Sequence, residues 1–293
     1  MWFFFAVASA VIYSLRGILE KKIISSVNKF ILGFAIRFYA LPFLFLPFFF
    51  FPNKIIPISH LSPEFWLAII VICCITTPLE TIFYYEALKE EEVSLVLPIL
   101  SLAPVLTLIF GSIILQESPN LYGIIGILLI LAGIYMLKLN HAKEGLMQPF
   151  HHLKNTRGVR LMLVVVVSMG ISSIFDKIGV THSNAYYYAL VNYIVVSITL
   201  FIIAYIKARS HLKEIILYKK QFFTIGAVVA GYTILYLLAL EGNFAAYAIA
   251  IRNASIIFTM IFGYLFFKEK DLQQKILAAI IIFLGLVAIK VFG

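Results

Sequence analysis

The sequence predicts an all-α integral membrane protein that crosses the bilayer ten times. Of its 293 residues, 62% are hydrophobic and only 13% are charged, and the mean hydropathy is +1.02. Soluble domains are about one quarter charged and less than half apolar. A water-soluble fold cannot bury so many apolar side chains, so a nucleic-acid-binding domain and a disulfide-based fold are excluded. The same apolar content excludes a disordered chain. The net charge of +9 is therefore expected on loops that flank a membrane.

Ten apolar stretches follow one another along the chain, and each is long enough for a helix to cross a bilayer, which takes about 20 residues. They cover 2–24, 29–51, 64–87, 93–115, 120–139, 159–181, 184–206, 221–241, 245–267 and 272–292. The first stretch lacks a preceding basic region and stays apolar to Leu19, so it is interpreted as a transmembrane helix and not as a signal peptide. The second contains Pro42 and Pro47 and is expected to kink there.

The two halves of the chain are similar to each other. A shift of 152 residues places the second half on the first without a gap. The superposed pairs are Tyr84 and Tyr236, Ala87 and Ala239, Leu88 and Leu240, Thr107 and Thr259, Ile109 and Ile261, Phe110 and Phe262, Gly111 and Gly263, Glu117 and Glu269, and Gly133 and Gly285. This pattern predicts one five-helix repeat at 1–139, a polar linker at 140–158 and a second repeat at 159–293. Since five is odd, the second repeat is expected to be inverted, with a binding site at the interface between the repeats.

The distribution of basic residues gives the expected orientation. When the connections between spans are assigned alternately to two sides, seventeen Lys and Arg residues fall on one side and three on the other. The three are Lys54, Lys177 and Lys290. By the positive-inside rule, the odd-numbered connections are cytoplasmic and both termini lie outside.

Several short motifs in both halves resemble the EamA unit of the drug/metabolite transporter superfamily. In the first half they are Tyr84-Tyr85-Glu86-Ala87-Leu88, Pro98, Pro104, Glu117-Ser118-Pro119, Gly123, Gly126 and Gly133. In the second half they are Tyr236-Leu237-Leu238-Ala239-Leu240, Phe262-Gly263, Lys268-Glu269 and Gly285, and Lys21 and Lys177 resemble the lysine that ends the family's first helix. The resemblance covers nearly the whole chain and implies a secondary exporter or permease with a central cavity. Two features depart from it: Ala250 and Ile256 replace the two prolines in the second half, and the termini are expected outside.

No motif of a membrane-embedded enzyme is found. Asp176 and Asp271 are the only aspartates and lie far apart, so an Asp-rich Mg²⁺ site cannot be built. The sequence contains no P-loop, no His-Glu-x-x-His and no Gly-x-Ser-x-Gly motif. His141, His151 and His152 lie in a basic polar loop and are interpreted as solvated. The sequence therefore predicts no catalytic residue, no metal site and no cofactor.

Charged residues inside apolar stretches are the best candidates for a binding site, because each costs roughly 2.5–3.5 kcal/mol to insert at a helix centre. Arg16 lies in the first span with Glu20 one turn later, so it either binds substrate or forms an ion pair that reaches the cytoplasmic surface. Glu80 lies deep in the third span near Pro78, where a titratable carboxylate finds polar surroundings.

Arg252 and Asn253 lie about eight residues into the ninth span. The repeat pairs this region with Ser101 in the fourth span, where Pro98 and Pro104 interrupt the helix, so both spans are expected to be irregular and to line a cavity. An ion pair of Arg252 with Glu80 or Glu241 is the alternative. Asn192, among the tyrosines of the seventh span, is assigned to the site or to an interfacial aromatic belt.

The predicted binding residues are Arg16, Glu80, Pro98, Ser101, Asn192, Arg252 and Asn253. The sequence predicts a secondary transporter in the cell (inner) membrane that moves a small metabolite, an amino acid or a related compound. Its predicted partners are this substrate and the lipid bilayer, no nucleic acid is expected, and the oligomeric state does not follow from the sequence. A flippase for lipid-linked intermediates on the same scaffold, or a membrane-embedded enzyme, are the alternatives.

Overall fold

The computed structural model describes residues 1–21, 23–24, 26–90, 96–139, 156–267 and 272–292. Its α-helices are α1 (Trp2–Lys21), α2 (Lys29–Phe50), α3 (Pro63–Ile70), α4 (Thr77–Glu90), α5 (Ala103–Ile114), α6 (Leu121–Leu139), α7 (Arg157–Thr181), α8 (Ala185–Ala208), α9 (Glu214–Leu217), α10 (Lys219–Glu241), α11 (Ala245–Asn253), α12 (Ser255–Phe267) and α13 (Leu272–Phe292). A π-helical segment, Val71–Thr76, joins α3 to α4, and a 3₁₀ helix, Leu97–Leu102, leads into α5. Most of the predicted linker, and the motif Lys268-Glu269, lie outside the described residues.

The all-α membrane fold predicted from the sequence is present. Within the described residues, seven helical stretches are long and apolar enough to cross a bilayer. They are Trp2–Glu20, Lys29–Phe50, Pro63–Leu88, Arg157–Thr181, Ala185–His211, Lys219–Glu241 and Ala245–Phe262. Three shorter apolar helices, Ile99–Ile114, Leu121–Leu137 and Ile276–Phe292, fall in the predicted fourth, fifth and tenth spans. The count of ten spans stays a prediction.

Internal contacts divide the chain into two compact units, and each takes segments from both halves of the sequence. The first unit is Met1–Thr81 with Phe175–Gly242, and the second is Ile82–Ile174 with Asn243–Gly293. In the first unit, α1 packs on α10, and α2 packs on both α8 and α10. At Gly226 of α10 the backbones of α2 and α10 lie close together, since an added Cβ would lie 2.5 Å from the Tyr39 carbonyl oxygen of α2. A larger residue at Gly226 would push the two helices apart.

Helix ends in the first unit are held by polar contacts between distant connections. The Asn28 side chain caps α2, and its backbone N–H donates to Glu214 at 2.7 Å. The Asn184 side chain caps α8 and donates to the Lys54 carbonyl oxygen at 2.9 Å. These contacts satisfy N–H groups that the first turn of a helix leaves without a partner.

In the second unit, α6 and α13 cross at glycine and alanine residues, which allow close approach of two helices. A Cβ added at Gly126 would lie 2.9 Å from the Gly285 carbonyl oxygen, and one at Gly133 would lie 2.8 Å from the Ala278 carbonyl oxygen. The contact partner moves backward along α13 as the position moves forward along α6. The two helices are therefore antiparallel and approach each other backbone to backbone.

A buried glutamate of the second unit caps a helix from the other half of the sequence. The chain turns sharply after α5, with Gln116 in the left-handed region at φ 54°. The Glu117 carboxylate then accepts the Ala245 backbone N–H at 3.1 Å (Oε2) and 3.3 Å (Oε1). Because negative charge at a helix N-terminus is stabilising, Glu117 fixes the start of α11.

Candidate functional site

Polar and charged side chains lie inside the apolar helices of both units, and one cluster of the first unit surrounds Arg16. Arg16 Nε donates to Glu20 Oε1 at 2.5 Å, one turn further along α1. Its Nη1 donates to the Tyr232 hydroxyl of α10 at 2.9 Å. The side chains of Arg16 and Glu20 are 24% and 19% exposed. The ion pair considered from the sequence is thus present, and it is partly withdrawn from solvent.

Aromatic rings surround the same guanidinium group. The Arg16 carbon Cζ lies 5.7 Å from the centre of the Tyr13 ring and 5.8 Å from that of Tyr232, within the range of cation–π attraction. Next to Tyr232, the Thr233 hydroxyl is 2.7 Å from the Tyr193 hydroxyl of α8. Three helices thus contribute polar groups and rings to one cationic region of the first unit. A guanidinium group in such surroundings suits a carboxylate or phosphate.

Asn192 belongs to a second polar cluster of the first unit. Its Nδ2 donates to the Tyr188 hydroxyl at 3.2 Å, and that hydroxyl donates to Asp176 Oδ1 at 2.9 Å. Tyr188 is buried, with 1% of its surface exposed. Cys73, in the π-helical segment, lies 3.6 Å from the Asn192 carbonyl oxygen. Asn192 is thus a buried hydrogen-bond partner of Tyr188.

In the second unit, Arg252 and Asn253 form the last turn of α11, and the helix is interrupted at Ala254 before α12 begins. Both side chains are half-buried, whereas Ala254 and Ser255 are buried. The Ala254 N–H donates to the Ala250 and Ile251 carbonyl oxygens, both at 3.1 Å. This interruption occurs without a proline and places a cation in the last turn of a helix, where positive charge is favourable.

The fourth predicted span changes from 3₁₀ to α-helical geometry at the equivalent place. Its 3₁₀ helix ends at Leu102 and α5 begins at Ala103, with Pro104 in the first turn of α5. The shift of 152 residues places Leu102 on Ala254. Both spans are therefore irregular at the same repeat position, as the sequence predicts, although only the fourth span has prolines there.

The predicted binding residues are divided between the two compact units. Arg16, Glu80 and Asn192 belong to the first unit, and Pro98, Ser101, Arg252 and Asn253 belong to the second. Ser101 is buried, with 1% exposed, and Glu80 is half-buried on α4. The backbone of Pro98 lies in the 3₁₀ helix, and its side chain is outside the described residues.

Sequence reasoning missed some residues of these clusters. Tyr232 joins Arg16 across 216 positions of the chain, and no local pattern links them. Asp176 is different, because it is a carboxylate five residues before the end of an apolar span. An ionisable residue inside such a span is a candidate functional residue by default, so this signal was available.

Comparison with known proteins gives one family. The model of the EamA-like transporter family matches residues 1–139 and 156–291. One solved structure, described only as "Crystal structure of protein", is similar in fold, with a TM-score of 0.73 and 13% identity over 98% of this chain and 95% of that chain. A comparison with curated protein sequences gives no match.

The helices and their internal polar groups define a multi-pass α-helical membrane protein. The family match covers nearly all of its length. The chain belongs to the EamA-like transporter family, whose members are membrane transporters of small molecules.

Proposed function

We propose that the protein is a secondary transporter that moves a small anionic or zwitterionic metabolite, an amino acid or a related compound, across the cell (inner) membrane. The observation that carries this proposal is Arg252, half-buried beside the interruption between α11 and α12. A guanidinium group at membrane depth is expensive unless it serves a partner or a ligand. Its planar donors suit the two oxygens of a carboxylate.

The further proposed binding residues are Pro98, Ser101 and Asn253 in the second unit and, separately, Arg16, Glu80 and Asn192 in the first. Broken helices near the bilayer midplane are the usual substrate-binding elements of carriers built from inverted repeats. The change from 3₁₀ to α-helical geometry at Leu102 and the repeat-matched interruption at Ala254 support this assignment. Arg16 already bonds Glu20 and Tyr232, so an anion that binds there competes with Glu20.

We further propose ten spans arranged as two inverted five-helix repeats, 1–139 and 159–293. The contact between α6 and α13 supports this arrangement, because it is reciprocal. Gly126 contacts Gly285 and Gly133 contacts Ala278, and Gly126 and Gly133 are the repeat equivalents of Ala278 and Gly285. Equivalent residues exchange partners across a two-fold axis. Because the two helices are antiparallel, that axis is perpendicular to them.

Contacts between connections support the alternation of the ten spans. Each contact joins two connections that the sequence assigns to the same side of the membrane. In the first unit these are Asn28 with Glu214, Asn184 with Lys54, and Ala185 with Glu241. In the second unit these are Glu90 with Arg157, Glu117 with Ala245, and Asn120 with Phe292. A missed or false span would place some of these partners on opposite sides.

Metabolite profiling tests the proposed function. Cells that overproduce the protein and cells that lack it are compared for release and uptake of small metabolites, including aromatic and branched-chain amino acids. Purified protein in liposomes is then tested with radiolabelled leucine and phenylalanine. Movement of an amino acid that requires the protein supports the proposal, whereas movement of a lipid-linked compound alone supports the flippase instead.

A further inference from the structure

Asp176 is a carboxylate inside a membrane-crossing helix to which neither the sequence nor the family gives a role. It lies on α7, five residues before the helix ends at Thr181. At 1.5 Å per residue, this is about 7.5 Å along the axis from the helix end. Aspartates within membrane helices commonly mark proton relays or ion pathways.

Two neutral polar groups, Asn192 and Tyr188, form a chain of hydrogen bonds that ends at Asp176. The Tyr188 hydroxyl accepts a hydrogen bond from Asn192 Nδ2 at 3.2 Å and donates its own hydrogen to Asp176 Oδ1 at 2.9 Å. Tyr188 and Asn192 are four residues apart on α8 and therefore share one face. Both are buried, with 1% and 8% of their surfaces exposed.

The position of the Tyr188 ring depends on a glycine one turn from Asp176. A Cβ added at Gly179 would overlap the Tyr188 ring. Phe65 of α3 packs edge-to-face on another side of the ring, with centroids 6.1 Å apart. Gly179 and Asp176 lie on one face of α7. On that face, Gly179 leaves space for the Tyr188 ring and Asp176 accepts the hydrogen of the Tyr188 hydroxyl.

A tyrosine hydroxyl can stay hydrogen-bonded to a carboxyl group in both of its protonation states. It has one hydrogen to donate and two lone pairs that accept. With Asp176 ionised, Tyr188 donates to it, as observed. When a proton binds at the other carboxyl oxygen, Oδ2, the Oδ1 atom remains an acceptor and Tyr188 continues to donate to it. The cluster can therefore take up and release a proton without losing its connections.

We propose that Asp176 is a proton-binding site, held in place by Tyr188 and Asn192, and that the proton bound there drives transport. This inference rests on the proposed function, since it names the coupling ion of that transporter. The carboxylate takes up one proton from water on one side of the membrane and releases it to the other, and no other bond changes.

Other titratable groups interact with this cluster. Tyr188 and Cys73 both interact electrostatically with Asp176, and Arg37 of α2 interacts with Cys73. Lys177 follows Asp176 on α7. The test therefore changes Asp176 alone and keeps the volume of its side chain, so that these neighbours keep their places.

The decisive variant is Asp176→Asn in the full-length protein. Asp271→Asn, which changes the only other aspartate of the chain, is the matched control. Each variant is reconstituted into liposomes and tested in two assays with radiolabelled leucine or phenylalanine. The first assay measures accumulation driven by an imposed pH gradient, and the second measures exchange without a gradient. We expect Asp176→Asn to lose accumulation and keep exchange, and Asp271→Asn to keep both.

Glu80→Gln distinguishes the two candidate carboxylates. If Glu80→Gln loses accumulation while Asp176→Asn keeps it, the proton binds at Glu80 and the proposal for Asp176 is wrong. If a sodium gradient drives accumulation in the wild type and a pH gradient does not, the proposal is also wrong. If the wild type moves no amino acid in either assay, the proposed substrate class is wrong. Proton binding by Asp176 is then tested by a measurement that needs no substrate.

That measurement is infrared titration of the purified protein. The carbonyl band of a protonated carboxyl group is followed between about pH 5 and pH 9, the range in which perturbed carboxyl groups titrate. We expect a pH-dependent band that disappears in Asp176→Asn and persists in Asp271→Asn. If Asp176→Asn keeps every pH-dependent carboxyl band of the wild type, the proposal is wrong. Should Asp176→Asn fail to insert, Tyr188→Phe replaces it, since loss of this hydroxyl must displace the titration while the ring keeps its packing.

Discussion

Gly126 of α6 and Gly285 of α13 face each other so closely that a Cβ on either would meet the other's carbonyl oxygen, at 2.9 Å and 2.7 Å. The same pair of helices meets again at Gly133 and Ala278. Close backbone approach through small residues is a principal means of helix association in a membrane, where apolar side chains gain little by leaving the lipid. The stability of the second unit should therefore depend on these positions.

Gly285→Ala is expected to destabilise the protein by about 1–3 kcal/mol, the usual penalty for overpacking. The added methyl group would meet the Gly126 carbonyl oxygen and the Ile130 amide nitrogen, and neither backbone atom can move away alone. Gly17→Ala is the control, because nothing lies within 4 Å of a Cβ there and alanine favours a helix by about 1 kcal/mol. Thermal unfolding in detergent measures both. Equal midpoints for the two variants would contradict the packing described.

Glu117→Ala is expected to loosen the start of α11. It leaves the buried Ala245 N–H without the acceptor it has at 3.1 Å, which costs about 1–3 kcal/mol. Glu117→Gln keeps an oxygen acceptor and should lose less. Hydrogen exchange of the peptide that contains Ala245 measures the effect, with the exposed Glu64→Ala as the control. Unchanged exchange in Glu117→Ala would show that α11 starts independently of this carboxylate.

Arg252→Lys is expected to lower the apparent affinity for an anionic substrate by about tenfold or more. The charge is kept but the paired donors are lost, and one charge-assisted hydrogen bond contributes about 1.5–3 kcal/mol. Arg157→Lys is the matched control, because Arg157 is 64% exposed and pairs with Glu90 at 3.3 Å, a surface pair of small energetic value. The KM for leucine uptake into liposomes is compared after correct insertion is verified. A native KM for Arg252→Lys, or a cationic substrate, would leave Arg252 with a structural role only.

Single cysteines on the two predicted sides should react differently with an impermeant thiol reagent. Asn53→Cys and Ser210→Cys are introduced after replacement of Cys73 and Cys74, and both positions are exposed in the first unit. Because Ser210 lies in a basic connection, it is expected inside, so Asn53→Cys should be labelled in intact cells and Ser210→Cys only after permeabilisation. The reverse result would invert the orientation, and labelling of both in intact cells would contradict the alternation of spans.

The periodic features of the sequence predicted the structure well. Apolar length placed the helices within a few residues of their observed ends. Polar residues in the ninth span indicated the interruption at Ala254. These predictions succeed because each depends on residues within one or two turns of a helix, where the geometry is fixed.

The partners of the polar side chains were not predictable in the same way. Glu20 was expected beside Arg16 from their spacing of four residues, whereas Tyr232 reaches Arg16 from a helix in the other half of the chain. The bond of Tyr188 to Asp176 depends on how the chain turns between α7 and α8 and on the space left by Gly179. Such contacts are set by helix packing, which a single sequence does not specify.

The exchange of equivalent partners between α6 and α13 bears on the ancestry of the chain. An interface whose two sides are equivalent can be formed by two copies of one shorter protein as well as by two halves of one chain. For a five-span ancestor, the antiparallel crossing requires that the two copies be inserted into the bilayer in opposite orientations. After fusion of the two genes, each half could acquire its own distribution of basic residues. By the positive-inside rule, that distribution would fix the orientation of each half in the membrane. A five-helix fragment of this protein, expressed alone, should meet its own copy through Gly126 and Gly133.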